Sequence, residues 1–392
     1  MKLTLQSKLS LIDLEIHKDK KHYIVEDKEN GEFYEMPKVC IDAIEQINKG
    51  RDLTDIENTL KEHYPEEDID IIPFVQQLTD FGLVKEINGE SVTVQKNSTS
   101  VKGFEWISSN FSGIFFNKVS NKIYTLLFLT NFGIILFNPA LLPNYHDIFL
   151  FNSMVANILT YMAVSLVLII IHEVGHIIAI RSYNLPTKLD IGNRLFLIVF
   201  ETDLTPAWKL PSRERNTLYL AGMSFEQAVL FVAFILTIVI GDTHPVLIGL
   251  LGIVILDVFV KTIYQFSFFM KTDIYFVMEN LTGCYNLMES GKAYLRKWIP
   301  FIKKASTEKI FDNDIPAVRL YSVFYCLGTL LTICIFVFYF VPQVVEVYFH
   351  IIKYVIKPSS PYFWDSIMLL GIFMLMFGLL LYAKTKSKRD SS

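Results

Sequence analysis

Six long apolar stretches constrain this chain most strongly, because each has about the 20 residues that a helix needs to cross a bilayer. They cover residues 123–142, 154–180, 217–240, 246–270, 318–341 and 363–383. Hydrophobic residues make up 52% of the sequence, which is more than an ordinary soluble enzyme carries. We therefore expect a mainly α-helical, multi-pass membrane protein with about six transmembrane helices.

The connectors between these stretches differ in positive charge. Residues 143–153 and 241–245 contain no Lys or Arg, whereas residues 181–216 and 271–317 contain several, as does the tail after residue 384. Since basic connectors stay in the cytoplasm, this pattern predicts that the N-terminus and the C-terminus are both cytoplasmic.

The second apolar stretch contains the sequence His172-Glu173-x-x-His176. On a helix, two His side chains four residues apart lie on one face and can bind one metal ion, with the Glu beside them. Ionisable residues inside a membrane span are costly, which favours a functional reading over a chance match. The spacing is typical of zinc metalloproteases, so we predict His172 and His176 as Zn²⁺ ligands and Glu173 as the catalytic base.

A catalytic zinc ion usually takes a third protein ligand. His244 is predicted at the opposite side of the membrane from the two histidines, whereas Asp273 follows the fourth apolar stretch at the same depth as they do. Depth in the membrane therefore favours Asp273 as the third ligand. Glu226 and Asp257 are carboxylates within predicted spans, and such residues are functional candidates in their own right. The polar residues considered for this role are Asp203, Glu226, His244, Asp257 and Asp273.

Residues 1–95 predict a separate, small α+β domain. They contain 21 Asp and Glu against 11 Lys and Arg, and this acidic balance argues against a nucleic-acid partner. The order of its elements suggests a winged-helix domain. The predicted elements are strands within 8–35, helices from about Pro37 to Asn48, Leu53 to Tyr64 and Asp68 to Phe81, and a strand at 83–87.

The rest of the chain divides by composition. Residues 96–121 are polar and are predicted to be a linker, residues 122–384 form the membrane-embedded domain, and residues 385–392 are a basic cytoplasmic tail. The connector 181–216 contains a β-prone run at 195–200, which predicts a hairpin beside the motif. Such a hairpin either clamps an extended peptide by strand addition or lies at the membrane surface without a substrate role.

The motif His172-Glu173-x-x-His176, followed after a later span by the segment Lys271 to Tyr275, resembles the site-2 protease family of zinc metallopeptidases. Residues 120–300 are similar to the branch of peptide zinc metalloproteases found with gene clusters for modified peptides. The family aspartate maps onto Asp273. The resemblance implies one Zn²⁺ per chain on the two histidines and Asp273, hydrolysis of a peptide bond, and a place in a bacterial cell membrane.

Some positions depart from the pattern of this family. Where the family has Asn, this chain has Gln265 and Glu226, and three further departures are Met223, Phe268 and Ile274. An Asn there could bind the substrate backbone or stabilise an oxyanion, and the amide of Gln265 could replace it. Gln265 and Glu226 are therefore predicted as substrate or oxyanion contacts.

Residues 8–90 resemble the PqqD-like peptide-recognition domains of enzymes that make modified ribosomal peptides. The resemblance depends on the helix from Pro37 to Ile44, the turn from Asn48 to Leu53 and the ending from Phe74 to Val84. It implies that a leader peptide docks on residues 8–90 as an added strand, before the peptide is cleaved during its maturation, leader removal or export.

Two other functions are open at this point. One is a regulatory intramembrane protease that cuts a membrane-bound signalling protein, for which residues 1–95 would be dispensable. The other is a peptide exporter or immunity protein that uses the same scaffold without catalysis. A zinc transporter is disfavoured, because the sequence contains no His-rich loop.

Overall fold

A computed structural model describes residues 3–92, 103–194, 197–297, 314–374 and 378 of the chain. The N-terminal part, up to residue 92, has its own apolar core, in which Ile44, Leu53 and Val75 are fully shielded from solvent. The strands and helices predicted here are confirmed, with helix ends shifted by no more than three residues. The elements are β1 Leu9–Leu11, β2 Leu14–Asp19, β3 His22–Asp27, β4 Glu32–Met36, α1 Lys38–Asn48, α2 Leu53–His63, α3 Ile71–Asp80, β5 Val84–Ile87 and β6 Glu90–Ser91.

Two three-stranded antiparallel sheets complete this domain, with strand orders β1-β5-β6 and β2-β3-β4. Strands β2 and β3 form a hairpin in which Leu14 pairs with Asp27 and Asp19 pairs with His22. Its tight turn places Lys20 at a positive φ of 43°. This hairpin reaches the rest of the chain, both at its tip and along its strands.

Within the described ranges, five helices are long and apolar enough to cross a membrane: Ser109–Phe137, Met154–Ser182, Ala221–Ile240, Pro245–Tyr264 and Ile315–Val355. The first comprises α4 Ser109–Phe115 and α5 Lys118–Phe137, and the next three are α6, α8 and α9. The last comprises α12 Ile315–Ile335, a π-helical turn Phe336–Phe340 and α13 Val341–Val355.

The sixth predicted span, 363–383, is described only in part. It contains a shorter apolar helix, α14 Phe363–Met374, and most of the residues after it lie outside the described ranges. The fifth predicted span, 318–341, is part of a 41-residue helix and does not end where it was expected to end. The mainly helical architecture is as predicted.

The described parts of the connectors after α6 and α9 form strands and short helices at the end of the helix bundle that contacts the N-terminal domain, which we call the domain end. The hairpin predicted in the first of them is confirmed as β7 and β8, paired from Leu189–Thr202 to Arg194–Leu197. The elements are β7 Leu189–Arg194, β8 Leu197–Thr202, α7 Ser212–Tyr219, α10 Asp273–Thr282 and α11 Leu287–Leu295.

Helix α6 is held at both of its ends. At its start, the Asp365 carboxylate accepts hydrogen bonds from Ser153 Oγ at 2.5 Å, Met154 N at 2.9 Å and Val155 N at 3.1 Å. At its other end, Arg181 Nη1 donates to the carbonyl of Leu185 at 2.8 Å, and its other nitrogens donate to carbonyls that precede α4. The bonds to Met154 and Val155 satisfy backbone N–H groups of the first turn that would otherwise lack partners, and those from Arg181 tie the end of α6 to the segment before α4.

Helices α6 and α8 approach closely at a pair of glycines. A Cβ on Gly175 would lie 2.7 Å from the carbonyl oxygen of Ala221, and a Cβ on Gly222 would overlap the imidazole of His172. Small residues are what allow two helices in a membrane to approach this closely. The approach puts the imidazole of His172 directly against the backbone of α8.

The N-terminal domain contacts the bundle through its β2–β3 hairpin and through β4, and the buried part of this contact is at the hairpin tip. The Asp19 carboxylate accepts hydrogen bonds from Arg215 Nη2 and, at 2.5 Å, from the hydroxyl of Tyr285. Arg215 is completely buried, and its guanidinium lies over the Trp208 ring, 4.5 Å from its centroid. We call Asp19, Lys20, Trp208, Arg215 and Tyr285 the docking junction.

Lys20 links this junction to α10. Its ammonium donates to the carbonyls of Asn280 and, at 2.8 Å, of Leu281, near the C-terminal end of that helix. A cation is favourable there because the last carbonyls of a helix lack partners within it. Two ion pairs lie beside the junction, Lys21 with Asp314 at 2.8 Å and Lys209 with Glu26 at 2.6 Å.

Candidate metal centre

Helix α6 presents His172 and His176 one turn apart on the same face, as their spacing predicts. Their Nε2 atoms lie 3.1 Å from each other, and their side chains are only 14% and 4% exposed. Two imidazole nitrogens at this separation repel or compete unless a proton or a cation lies between them.

Asp273, the first residue of α10, completes the cluster. Its Oδ2 atom lies 3.1 Å from Nε2 of His172 and 3.6 Å from Nε2 of His176. One ligand atom from each of these residues lies within 4.8 Å of the others. Among the described residues, this is the group of His, Cys, Asp and Glu side chains whose geometry could hold a metal ion.

The outer nitrogens of both imidazoles have acceptors of their own. Nδ1 of His172 lies 3.3 Å from Oε2 of Glu226, and Nδ1 of His176 lies 2.8 Å from the carbonyl oxygen of Leu218. A proton on each Nδ1 leaves the lone pair of Nε2 directed into the cluster, which is the tautomer that a metal-binding His needs. Glu226 is buried, so its carboxylate is committed to His172.

The nitrogen and the oxygen of the Gln265 side-chain amide both form hydrogen bonds with Asp273. Its Nε2 donates to Oδ2 of Asp273 at 3.0 Å, and its Oε1 accepts from the backbone N–H of Asp273 at 3.0 Å. Burial by itself would raise the pKa of the Asp273 carboxyl, but when the imidazoles are protonated, the His176 charge and the hydrogen bonds from His172 and His176 hold the pKa well below its usual range. When the imidazoles are neutral, the hydrogen bond from Gln265 still favours the ionised carboxylate, which is the form that a metal ligand requires.

Glu173 lies beside the cluster and is bound to the β7–β8 hairpin. Its Oε2 accepts from the backbone N–H of Thr202 at 2.9 Å and from the hydroxyl of Thr202 at 2.7 Å. Within the described part of the chain both of these bonds go to Oε2, which leaves Oε1 free to contact a water molecule. The end of β8 thus sets the orientation of the predicted base.

A cavity of about 1240 Å³ connects this cluster to two other parts of the molecule. It is lined near the docking junction by Trp208 and Tyr285, and between α6 and α9 by Tyr161 and Lys261. The imidazoles and the carboxylate of Asp273 lie on its wall between these two ends. Water and an extended chain can therefore reach the cluster although it belongs to an apolar helix bundle.

The other candidates for a third ligand lie elsewhere. Asp203 lines the cavity, but its Oδ1 accepts from the backbone N–H of Thr205 at 2.9 Å. Asp257 forms an ion pair with Lys261 at 2.6 Å, and His244 is exposed just before the start of α9, at the opposite end of the bundle. The structure thus brings Asp273 to the two histidines, with Glu226 and Gln265 immediately behind the cluster.

Sequence reasoning missed Thr202 and Lys261. Thr202 contacts Glu173 through a fold that no local spacing indicates. Lys261 had a signal, since it lies four residues after Asp257 inside an apolar span, where an ionisable pair is uncommon.

Comparison with protein-family models, with curated proteins and with solved structures found no match to this chain.

Proposed function

We propose that this protein is a membrane-embedded zinc metalloprotease of the site-2 protease type, which hydrolyses a bond in a ribosomally made peptide. The observation that carries the proposal is the cluster of His172, His176 and Asp273, with Glu173 beside it on the same cavity wall. The order of the residues alone would be weaker support than their spatial arrangement.

The spacing of the three ligand atoms suits zinc. A tetrahedral Zn²⁺ with bonds near 2.0–2.1 Å separates its ligand atoms by about 3.3 Å. The three separations in the cluster are 3.1, 3.1 and 3.6 Å. Two nitrogens and one carboxylate oxygen are also the donor types that catalytic zinc takes, with a fourth position left for water or substrate.

Zinc bound by these residues would polarise the carbonyl of the substrate and make a water molecule more acidic. Glu173 would accept the proton of that water through Oε1 and return it to the leaving amine. Thr202 holds the other carboxylate oxygen of Glu173, which keeps the base aimed at the cavity. Glu226 and Gln265 would fix the ring of His172 and the carboxylate of Asp273, as partners of metal ligands do.

The N-terminal domain would select the substrate. Its small sheets and three helices suit a winged-helix peptide-recognition domain, on which a leader peptide adds a strand. The docking junction holds this domain beside the cavity, so a peptide bound there would need only a short extension to reach the cluster. In this proposal the domain, both termini and the domain end of the bundle are on the cytoplasmic side of a bacterial cell membrane.

The β7–β8 hairpin would hold the peptide in extended form. Val199, Phe200 and Glu201 of β8 line the cavity next to Thr202. A strand at the cavity wall can pair with a substrate backbone, and an extended peptide exposes its carbonyls, which a helical one keeps bonded.

The test combines zinc content with hydrolysis. The purified protein in detergent should contain about one zinc per chain and should cleave a mixture of random hexapeptides, with the products followed by mass spectrometry. Replacing the base, Glu173→Gln, should lower cleavage by at least about 100-fold and leave the zinc content unchanged. The matched control is Glu346→Gln, an exposed carboxylate on α13. Normal cleavage by the Glu173 variant, or a wild type without zinc and without cleavage, would overturn the proposal.

A further inference from the structure

An ion pair lies in the wall of the cavity, away from the metal centre. Lys261 and Asp257 are one turn apart on α9, with Nζ of Lys261 2.6 Å from Oδ2 of Asp257. Charged groups within a membrane-spanning helix are costly, so such a pair calls for a role.

Contacts between helices of this bundle do not require charged groups. Where α8 meets α9, Gln227 Nε2 donates to the hydroxyl of Thr262 at 3.0 Å, and two neutral groups suffice. Asp257 is only 2% exposed, whereas the Lys261 side chain is 23% exposed and lines the cavity. The Asp257 carboxylate is therefore shielded from the cavity, and the Lys261 ammonium faces the space that a substrate would occupy.

Lys261 retains capacity to donate. An ammonium has three N–H donors. One is directed at Asp257, and another makes a long contact of 3.4 Å with the carbonyl of Ser165 on α6. Among the described residues, Nζ of Lys261 makes these two polar contacts, so its third N–H can donate to a group inside the cavity.

Lys261 is also the one Lys or Arg among the described residues that line the cavity. The other charged lining residues are carboxylates, apart from the imidazoles of the metal centre. A carboxylate on a substrate would be repelled along most of the wall and attracted at this position.

The distance from the metal centre can be read from α6. Ser165, whose carbonyl contacts Lys261, precedes His172 by seven residues, which corresponds to about 10 Å along a helix. An extended peptide advances about 3.3 Å per residue, so about three residues span this distance.

We propose that Lys261, backed by Asp257, binds a carboxylate of the peptide substrate about three residues from the bond that is cleaved. The carboxylate is either the C-terminal group of a short peptide or the side chain of an Asp or Glu in a longer one. This inference rests on the proposed peptidase function and makes Lys261 a specificity-determining residue.

The test measures binding without requiring hydrolysis. In the Glu173→Gln background with zinc bound, fluorescence anisotropy gives the Kd of a labelled hexapeptide of Leu, Val and Ala, ending in a free carboxylate or in an amide. A second pair, an amidated nonapeptide with Asp or Asn at its sixth position, separates the side chain from the terminal group. At least one acid should bind about 10-fold more tightly than its neutral partner.

Variants connect this preference to the ammonium. Lys261→Met should abolish the preference, Lys261→Arg should retain most of it, and the exposed control Lys353→Met should leave it intact. Asp257→Asn combined with Lys261→Met removes both charges, so it loses the preference without leaving a buried carboxylate unpaired. Equal zinc contents would show that the metal centre is intact in each variant.

Each result decides between the two proposals. Equal binding of acids and neutral peptides to the parent protein, or a preference that survives Lys261→Met, would overturn the role of Lys261 and leave the peptidase proposal standing. Failure of all four peptides to bind would also overturn the role of Lys261, whereas the zinc content and the cleavage of random hexapeptides would still decide the peptidase proposal.

Discussion

The metal centre and the docking junction are two buried clusters of charge that are built in opposite ways. In the metal centre, two of the three members come from adjacent turns of one helix, and all three point at one spot. In the docking junction, Asp19 and Arg215 are 196 positions apart in the sequence, and they satisfy each other directly. The first arrangement directs three possible ligand atoms at one point, and the second pairs opposite charges.

The difference separates a cluster that an added cation would stabilise from a cluster in which the opposite charges are already paired. The three ligand atoms of the metal centre bring together two nitrogen lone pairs and a carboxylate, and their backing groups hold them there. Arg215 instead bonds Asp19, Tyr285 and Asn280 and lies over Trp208. Removing one member should therefore cost metal affinity in the first cluster and attachment of the N-terminal domain in the second.

The largest effect is expected at the metal ligands themselves. His176→Ala and Asp273→Asn should each remove one of three ligands and lower zinc affinity by more than about 1,000-fold, which metal analysis after dialysis would measure. His244→Ala, which changes a histidine at the opposite end of the bundle, should retain its zinc. Full zinc content in both ligand variants would refute the ligand set.

The next largest effect is expected at the junction. Arg215→Met leaves the Asp19 carboxylate buried without its partner, and breaking a buried pair in this way costs about 3–5 kcal/mol. Hydrogen exchange of the β2 and β3 amides should speed up accordingly, while the exposed neighbour Arg213→Met should change little.

A second measurement on the same variant sharpens the comparison. Asp19→Asn combined with Arg215→Met should recover part of the lost protection, because no carboxylate is left unpaired. Zinc content should stay near that of the wild type, since Gln265 rather than the junction holds Asp273. Loss of zinc together with domain attachment would show instead that the two clusters act as one cooperative unit.

A smaller effect is expected behind the metal ligands. Glu226→Gln keeps the shape of the side chain but removes the charge beside Nδ1 of His172. Changes in such backing groups typically lower metal affinity by about 10–100-fold. Competition with a chelator would measure the change, and an affinity equal to that of the Glu346→Gln control would rule out this role for Glu226.

The smallest effect is a pH dependence of domain attachment. Burial, together with the nearby charges of Asp314 and Asp19, raises the pKa of Glu35 on β4 to about 7. In the attached domain the Glu35 carboxyl therefore keeps its proton up to about pH 7, whereas in a detached domain it would lose the proton above the ordinary pKa of a Glu. Attachment consequently weakens as the pH rises from that ordinary pKa toward 7. Between pH 6 and 8 the loss should be about 1 kcal/mol.

Hydrogen exchange of β2 and β3, corrected for intrinsic rates, would measure this loss as the difference between wild type and Glu35→Gln at each pH. The difference is needed because burial lowers the pKa of the neighbouring His22, whose contribution to stability has the opposite sign. An identical pH dependence in the two proteins would contradict the role of Glu35.

The sequence was sufficient to predict that His172, His176 and Asp273 lie together, because the information needed is local or depends on depth. Because His172 and His176 are four residues apart on a helix, their side chains lie on the same face of it. Asp273 could be predicted because the end of an apolar stretch fixes its level relative to the histidines. The backing role of Gln265 was not predicted, since it depends on the turn that brings α10 back against the end of α9.

The docking junction could not be predicted, because no periodicity links Asp19 to Arg215. The length of the helix Ile315–Val355 was also missed. Pro342 predicts that an apolar helix ends near it, since Pro lacks an N–H and clashes with the carbonyl four residues earlier. The structure accommodates it with the π-helical turn Phe336–Phe340, and the helix continues.

The anchoring of α6 at both ends fixes the level of the metal centre. With 29 residues, α6 is about 43 Å long, close to the full thickness of a bilayer with its headgroups. Asp365 and Arg181 hold its two ends against other parts of the chain, so α6 is not free to shift along its axis independently of them when the membrane is thinner or thicker. The lipids would have to thin or thicken around the protein instead, and His176 would stay about 9 Å from the end of α6 in any membrane.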